Sequence, residues 1–383
     1  MFKRVLIASA LSAAFAAPAF ADVTISGSAE MDLFVRTHQA TSQNNDGGST
    51  AFGNETDLII NFDGKDKLDS GNSLIWHVGQ KVQTPGTAAW GSREAYVGIA
   101  GEWGSFRSGR MFAPTYLALD EFQWGAGNLW EDYGANAVWF KEAITYATPD
   151  LNGFGAEVMY DFGTKTAKGQ TYALDAVARY KGYGFNVSGG YQTQKGVANK
   201  NDANNGNRVT FNIDDAFQSG GDTGAKQEFY FVQGNWKIVN SGFQVRAGYK
   251  HNKWTDENGS ITGLKNFKAE NDQFLVAGSY DFMQKHQVAL GWQSIVNNKY
   301  NGHKSTDAFG RHIDDGDFDS NQIFGQYTYA LSKQTVSYAQ VRYQMFGSDN
   351  GRPAVSTSGQ FDGVSMTGTD NGSRVMIGTY TSF

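Results

Sequence analysis

No cysteine occurs anywhere in the 383 residues, so disulfides, thiolate metal sites and cysteine nucleophiles are excluded outright. Only 5 prolines punctuate the chain. Beyond its first twenty or so positions it holds no apolar run near the roughly twenty residues that a membrane-spanning helix needs. Charged residues are few, at 18%, and acidic ones outnumber basic ones, 38 to 32. That balance argues against a nucleic-acid partner, because binding a polyanion takes an excess of Lys and Arg. What fills the space is 47 glycines and 14% aromatic residues. Many strands broken by glycine turns fit this profile, and disorder, which is aromatic-poor and strongly charged, does not.

The N-terminus reads as a secretory signal. Lys3 and Arg4 precede an apolar run from Val5 to Ala17, and Ala19-Phe20-Ala21 forms a small-x-small cleavage site. The expected division is a signal peptide, residues 1–21, and a single domain, residues 22–383. Loss of Lys3 and Arg4 leaves 30 basic against 38 acidic residues, a net charge of −8. Two readings stay open at this point. One is a soluble exported protein. The other is a membrane β-barrel, whose strands escape hydropathy plots because only alternate residues face lipid.

Alternation favours the barrel. From Val23 through Arg36 the odd positions are apolar or glycine and the even ones polar, except Phe34, which is a strand with one oily and one wet face. The pattern recurs in Leu74/Trp76/Val78, Phe154/Ala156/Val158/Tyr160, Tyr230/Val232/Gly234/Trp236, Phe274/Val276/Gly278/Tyr280 and Val375/Ile377. It blurs around Thr335–Met345, where a bulge is expected. Aromatic residues gather toward the ends of the oily faces, as in the interfacial girdles of membrane proteins. Connectors alternate in length: seven short ones, such as 101–104 and 181–184, and eight long ones, including 39–53, 113–137, 195–226 and 347–373. Fifteen connectors imply sixteen strands, with tight turns at one rim and long polar loops at the other.

The connector after Arg110 is distinctive. It carries Asp120, Glu121, Glu131 and Asp132 among aromatics and glycines, and long connections in a regular β architecture are commonly functional. It reads as a loop folded back against a wall of strands. By the alternation, Glu30, Asp32, Arg36, His77, Lys81, Lys141, Glu157, Asp161, Asp175, Arg179 and Arg246 point to the lumen. Trp124 and Trp130 read as aromatics that pack the loop to the wall, in preference to a sugar-stacking track. The run Asp315-Gly316-Asp317-Phe318-Asp319 mimics the start of a calcium loop, but Ser320 stands where glycine is needed and Gln326 where a bidentate Glu belongs. It is expected to be a solvated acidic loop, with weak divalent binding at Asp315, Asp317 and Asp319 as the alternative.

The chain resembles the Gram-negative trimeric porins of the neisserial and β-proteobacterial type. The motifs that carry the likeness are SGSAEMDLFV, SREAYVGIAGEWGSFRSGR, ITYATPDLNGFGAEVMYD and a terminal GTYTSF ending in Phe383. The resemblance implies an all-β fold, a sixteen-stranded antiparallel transmembrane β-barrel with an inward-folded third loop. It also implies a homotrimer in the outer membrane of a Gram-negative bacterium, in contact with its lipid and lipopolysaccharide, with Phe383 as the assembly signal. Porins of this family set a basic cluster on the wall against acids on the folded loop. Arg110 matches one wall arginine. Two other positions depart, one within Glu55–Leu58 and one at Trp139, with Lys141 the nearest surviving cation. The constriction is therefore assigned to Arg110, Lys141, Lys81 and Arg36 with Glu30 and Asp32 on the wall, and to Asp120 and Glu121 on the loop.

The function expected is passive diffusion of ions and small hydrophilic solutes through a water-filled channel, with mild cation preference from the loop acids and the net charge. No cofactor is implied. A substrate-selective channel is the alternative. An outer-membrane enzyme is a third reading, and it would need Ser and His side by side on the lipid-facing surface.

Overall fold

The computed structural model describes residues 22–41, 44–84, 90–122, 138–163, 165–166, 169–196, 225–257, 266–300, 305–306, 312–313, 320–346 and 371–383. The expected signal peptide, Trp124, Trp130, Glu131, Asp132 and the Asp315–Asp319 run lie outside these residues, as does the side chain of Glu121.

Sixteen strands close into one antiparallel barrel. They are β1 (Asp22–Thr41), β2 (Asn44–Lys67), β3 (Ser73–Thr84), β4 (Glu94–Gly101), β5 (Gly104–Phe112) and β6 (Trp139–Ala147). Next come β7 (Phe154–Asp161), β8 (Tyr172–Gly182), β9 (Phe185–Lys195), β10 (Ala225–Lys237) and β11 (Phe243–Asp256). The last five are β12 (Phe267–Phe282), β13 (His286–Tyr300), β14 (Ser320–Ala330), β15 (Thr335–Phe346) and β16 (Asn371–Ser382). Each strand pairs with the next in sequence, and β16 pairs back to β1 from Ser28↔Ser382 to Arg36↔Arg374. Closure removes sheet edges, so no row of amides faces hydrocarbon unpaired.

Alternation turns directly into two faces. On β1, Val23, Ile25, Met31 and Leu33 are exposed while Asp32 and Phe34 are buried. On β16, Val375 and Ile377 are exposed while Arg374 and Met376 are buried. The exposed apolar face is the one that meets lipid. Phe34, the exception to the odd–even pattern, turns inward and packs with Tyr338 and Met376.

The connectors at one rim are tight. The two-residue turn between β8 and β9 is made by Tyr183 at φ 53° and Gly184 at φ 81°, the doubly positive pair that a type I′ hairpin requires. At the opposite rim the expected loop at 39–53 is replaced by strand: β1 and β2 run on to Thr41 and Asn44, and register shifts after Arg36 let the hairpin continue. The expected bulge in Thr335–Met345 is absent, because β15 pairs with both neighbours without a shift. The pattern blurs there because Tyr338 faces inward, where the alternation calls for a polar residue. A shift does occur between β5 and β6, where Gly109↔Ala143 is followed by Met111↔Phe140, so Lys141 and Glu142 together oppose Arg110.

Phe383 completes the ring. Its backbone N–H donates to the Gly27 carbonyl at 3.0 Å, and its carbonyl accepts from Gly27 N–H at 3.0 Å. The ring covers Gly27, where a Cβ would stand 2.6 Å from Phe383 Cζ. The same Cβ would stand 2.1 Å from the Ile59 carbonyl of β2, so Gly27→Val should disturb both the β1–β2 ladder and the seat of the terminal residue, and Phe383→Ala, which removes only the ring, separates the two. We expect unfolding in urea at lower concentration, by about 1–3 kcal/mol as for other overpacked sites, and a smaller fraction migrating as folded barrel on an unheated gel. Unchanged migration and midpoint in Phe383→Ala would show that the closure does not depend on this contact.

Candidate functional site

The connector between β5 and β6 enters the lumen as a helix, α1 (Pro114–Phe122). Proline suits the first helical position, since its missing N–H would lack an intrahelical partner anyway. A nine-residue helix is marginal alone, and the barrel wall supplies what it lacks. Asp175 of β8, fully buried, accepts from Thr115 N–H at 2.9 Å and from the Thr115 hydroxyl. That is the work of an N-cap residue, performed by a side chain 60 positions away. Gln192 of β9 donates to Thr115 Oγ1 at 2.9 Å and to Asp175 Oδ2 at 2.7 Å. Arg179 Nη2 donates to the Pro114 carbonyl at 3.0 Å, and Gln233 Nε2 to the Ala118 carbonyl at 2.7 Å.

Packing fixes the same pose. Ala118 and Leu119 are buried against Val177, Phe229, Phe231, Leu275, Ala277, Ala289 and Phe324, all on inner faces. A second inward cluster, Met111, Ala113, Phe140, Ala143, Met159 and Ala173, holds the chain where it leaves β5. These apolar side chains seat the helix on one side of the lumen. Asp120 lies on the other side of α1, reached by water yet ringed by the wall. Loss of hydration raises its carboxyl above the ordinary aspartate range, against the opposing pull of Arg93. Arg93 itself lies over the Phe112 ring, 4.7 Å from its centroid.

Charged groups of both signs line the wall, the first of them beside α1. Arg107 of β5 bonds Glu157 of β7, and Arg179 Nη1 approaches the same carboxylate at 3.6 Å. His77 bonds Asp63 at 2.8 Å, lies 3.7 Å from Glu94 and stacks on Tyr96, with ring centroids 5.3 Å apart. Lys81 pairs with Asp57.

The other wall is built by β15, β16 and β1. There Tyr338 OH donates to Glu30 Oε1 at 2.8 Å and is also bonded to Asp32. Phe34 lies next along β1, with Arg36 at 4.0 Å and Arg374 at 5.1 Å from its ring centroid. Glu30, Asp32 and Arg36 are thus brought together. Lys81 stands two strands away, with Asp57. Arg110 pairs with Ala95, in phase with Phe106 and Val97, whose side chains are exposed. Its Nε bonds the Ser92 carbonyl, and its guanidinium lies 5.3 Å from the Trp139 ring centroid. Lys141 is exposed beside Glu142 at the register shift. Arg107, Arg93, Arg342 and Arg374 also bear on the lumen and stand outside the set expected from the sequence. The signal for Arg107 is local, since Phe106 faces out and the next position must face in.

Comparison with known proteins agrees with this geometry. A family model described as Gram-negative porin matches residues 8–350. The chain is 29% identical over 323 residues to the major outer membrane protein P.IB of Neisseria meningitidis serogroup B, aligning 76% of this chain and 93% of that protein. Among solved structures, the anion-selective porin from Comamonas acidovorans aligns with 95% of this chain and 100% of its own, at 17% identity and TM-score 0.67. OmpT of Vibrio cholerae in its trimer form aligns with 94% of this chain and 99% of its own, at 14% identity and TM-score 0.64.

Asp175→Ala removes the acceptor of three hydrogen bonds and leaves buried donors unpaired, at about 1–3 kcal/mol for each group stranded. Leu119→Ala should cost about 2–5 kcal/mol by the cavity it opens. Both variants are expected to turn a steady single-channel current into a fluctuating one, as α1 leaves its seat. A trace as quiet as that of the unaltered protein would show that these groups do not hold the helix.

Proposed function

The chain belongs to the Gram-negative porin family, and on that premise we propose how its lumen treats what passes through. The protein is an outer-membrane channel for passive diffusion of ions and small hydrophilic solutes. The observation that carries the rest is a helix latched inside a closed barrel whose inner face bears both signs of charge. Opposed charges across a narrow gap orient water and disfavour apolar solutes, while their net sign biases ions. Arg107, Arg179 and Glu157 lie on the wall around α1, and Asp120 projects from it. With both signs present the bias is small, and Asp120 together with the net charge of −8 tips it toward cations.

We infer further that the chain works as a homotrimer. OmpT of Vibrio cholerae has a trimer form, and the outer surface here is uneven in a way that suits partner copies. The large apolar side chains exposed on β1 and β16 are all aliphatic: Val23, Ile25, Met31, Leu33, Val375 and Ile377. Farther round, exposed aliphatics such as Val158, Val232 and Leu290 are joined by Phe154, Tyr160, Phe185, Tyr230, Phe243, Phe274 and Trp292, rings of the kind that settle at a lipid interface. The ring-free sector of β1 and β16 faces neighbouring copies, and the sector that carries the rings faces lipid and lipopolysaccharide. Residues 1–21 direct export and are removed, and Phe383 marks the chain for assembly. A hydrolytic reading has less to stand on: His251 and His286, both on the outer face, bond Asp272 and Tyr327.

Liposome swelling with a size series of neutral sugars tests the channel reading. A smooth fall of rate with size is expected, and a saturable preference for one sugar would favour a substrate-selective channel. The ion bias is tested by reversal potential in a salt gradient. Because Asp120 is raised, it takes up its proton at a higher pH than an ordinary aspartate, and the lumen loses one negative charge as pH falls through that point. Cation preference should therefore weaken on acidification, and Asp120→Asn should abolish that step and lower the preference at neutral pH. The same proton uptake relieves a cost of keeping the charge, so α1 is held better below that pH than above it. Anion preference at neutral pH in the unaltered protein would overturn the cation assignment.

A further inference from the structure

Three consecutive strands of the barrel carry no acid. From Phe282 to Tyr300 and from Ser320 to Phe346, stretches that hold β13, β14 and β15, neither Asp nor Glu occurs. The short turns at this side carry one exposed lysine each, Lys285 between β12 and β13 and Lys333 between β14 and β15. The two turns adjoin, because Ala330 N–H, at the end of β14, donates to the Lys285 carbonyl at 2.8 Å. Each turn also presents a large apolar side chain, Met283 at 79% and Leu331 at 53% exposure. The acid nearest in sequence, Asp281, follows outward-facing Tyr280 and so turns to the lumen side, where it accepts from Gln287 Nε2 at 2.7 Å.

A histidine stands beside the lysines on the outer face. His286 of β13 pairs with Tyr329 of β14, and its ring lies against those of Tyr329 and Phe282, with centroids 5.0 and 5.1 Å away. Its Nδ1 bonds the Tyr327 hydroxyl at 2.7 Å. If the tyrosine gives its proton to the ring, Nε2 keeps an N–H, and if it accepts the ring's, its own O–H is kept. In either case the pair retains one donor for a ligand. Leu290 and Ile323 continue the same face as exposed apolar side chains. Amphipathic rings settle at the headgroup level, and the short turns of an outer-membrane barrel lie on the periplasmic side. The cluster therefore stands where the headgroups of the periplasmic leaflet meet the barrel.

We propose that Lys285, His286, Tyr327 and Lys333 form a headgroup site for an anionic glycerophospholipid. Its phosphate lies among these donors, and its acyl chains run along Leu290 and Ile323. A lysine binds phosphate as a point charge, and its flexible stem lets the ammonium reach the headgroup while the carbons cover apolar surface. Met283 and Leu331, on either side, would gain nothing from a free ion and are covered by a lipid. With no acid on β13 to β15, a negative headgroup meets no repulsion there. The site rests on the reading that the ring-bearing sector faces lipid, and it adds which class of lipid is held and where.

The test uses the folded full-length chain in zwitterionic detergent, titrated with phosphatidylglycerol and, separately, with phosphatidylcholine, and reads retained lipid by native mass spectrometry. Saturating retention of phosphatidylglycerol is expected, with half-saturation at least fivefold below that of phosphatidylcholine. Lys285→Gln/Lys333→Gln should raise the half-saturating concentration of phosphatidylglycerol at least fivefold and leave that of phosphatidylcholine within twofold. His286→Gln gives an independent variant, expected to weaken phosphatidylglycerol alone, should the double variant fail to fold. Lys237→Gln removes a cation at the same rim that follows outward-facing Trp236 and so lies on the lumen side, and it should leave both values within twofold. Equal retention of the two lipids, unchanged retention in the site variants, or an equal shift in Lys237→Gln would overturn the site. Displacement of the lipid by inorganic phosphate at equal concentration would make it a free-anion site, and retention of a poly-glutamate peptide in place of the lipid would give the surface to a protein partner; either overturns the proposal. Failure of the chain to insert into vesicles of either lipid would instead overturn the lipid-facing reading, and the site with it.

Discussion

Hydrocarbon offers nothing for a peptide N–H or carbonyl to bond, and a strand that crosses a membrane must find its partners in other strands. That requirement shapes the whole chain. It forces the sheet to close, and closure assigns each residue one of two solvents by parity alone. A sequence with no cysteine, little proline and no long apolar run satisfies it through repetition of a short alternating segment. Stability then rests on the continuous ladder between strands and on apolar faces turned to lipid.

A second requirement is set against the first. A lumen that passes hydrated solutes must stay polar, yet a helix inside it must be held in place. The structure meets both by dividing the inner wall into sectors. Strands β8 to β14 carry an apolar seat for Ala118 and Leu119, with Asp175, Gln192 and Gln233 bonding the helix backbone. Strands β15, β16 and β1 carry the charged groups of the facing wall. Parity fixes which residues face inward, and the choice of residue on each sector then decides between holding and passing.

Much of this could be read in the sequence, because period-two alternation and turn chemistry are local. The strand number and the two rims follow from it, as do the inward positions of Asp32, His77, Glu157 and Asp175. What could not be read depends on distant neighbours. The helix α1 is capped by a residue 60 positions away, so its nine residues carry little helical signal of their own. The first hairpin runs past its expected end because irregular pairing tolerates residues that do not look like strand. Arg36, Arg342 and Arg374 are scattered over more than three hundred positions, and only the register of β1, β16 and β15 sets them opposite one another. Arg110 drew notice through a motif, while Arg107 has the parity that reaches Glu157.

The seam between β1 and β16 joins the two strands most distant in sequence. Fifteen strands would still present two raw edges to the bilayer, and the sixteenth resolves both at once. A partly built sheet therefore gains little over none, which makes folding within lipid close to all-or-none and ties it to a pairing of very high sequence separation, the kind that forms slowly.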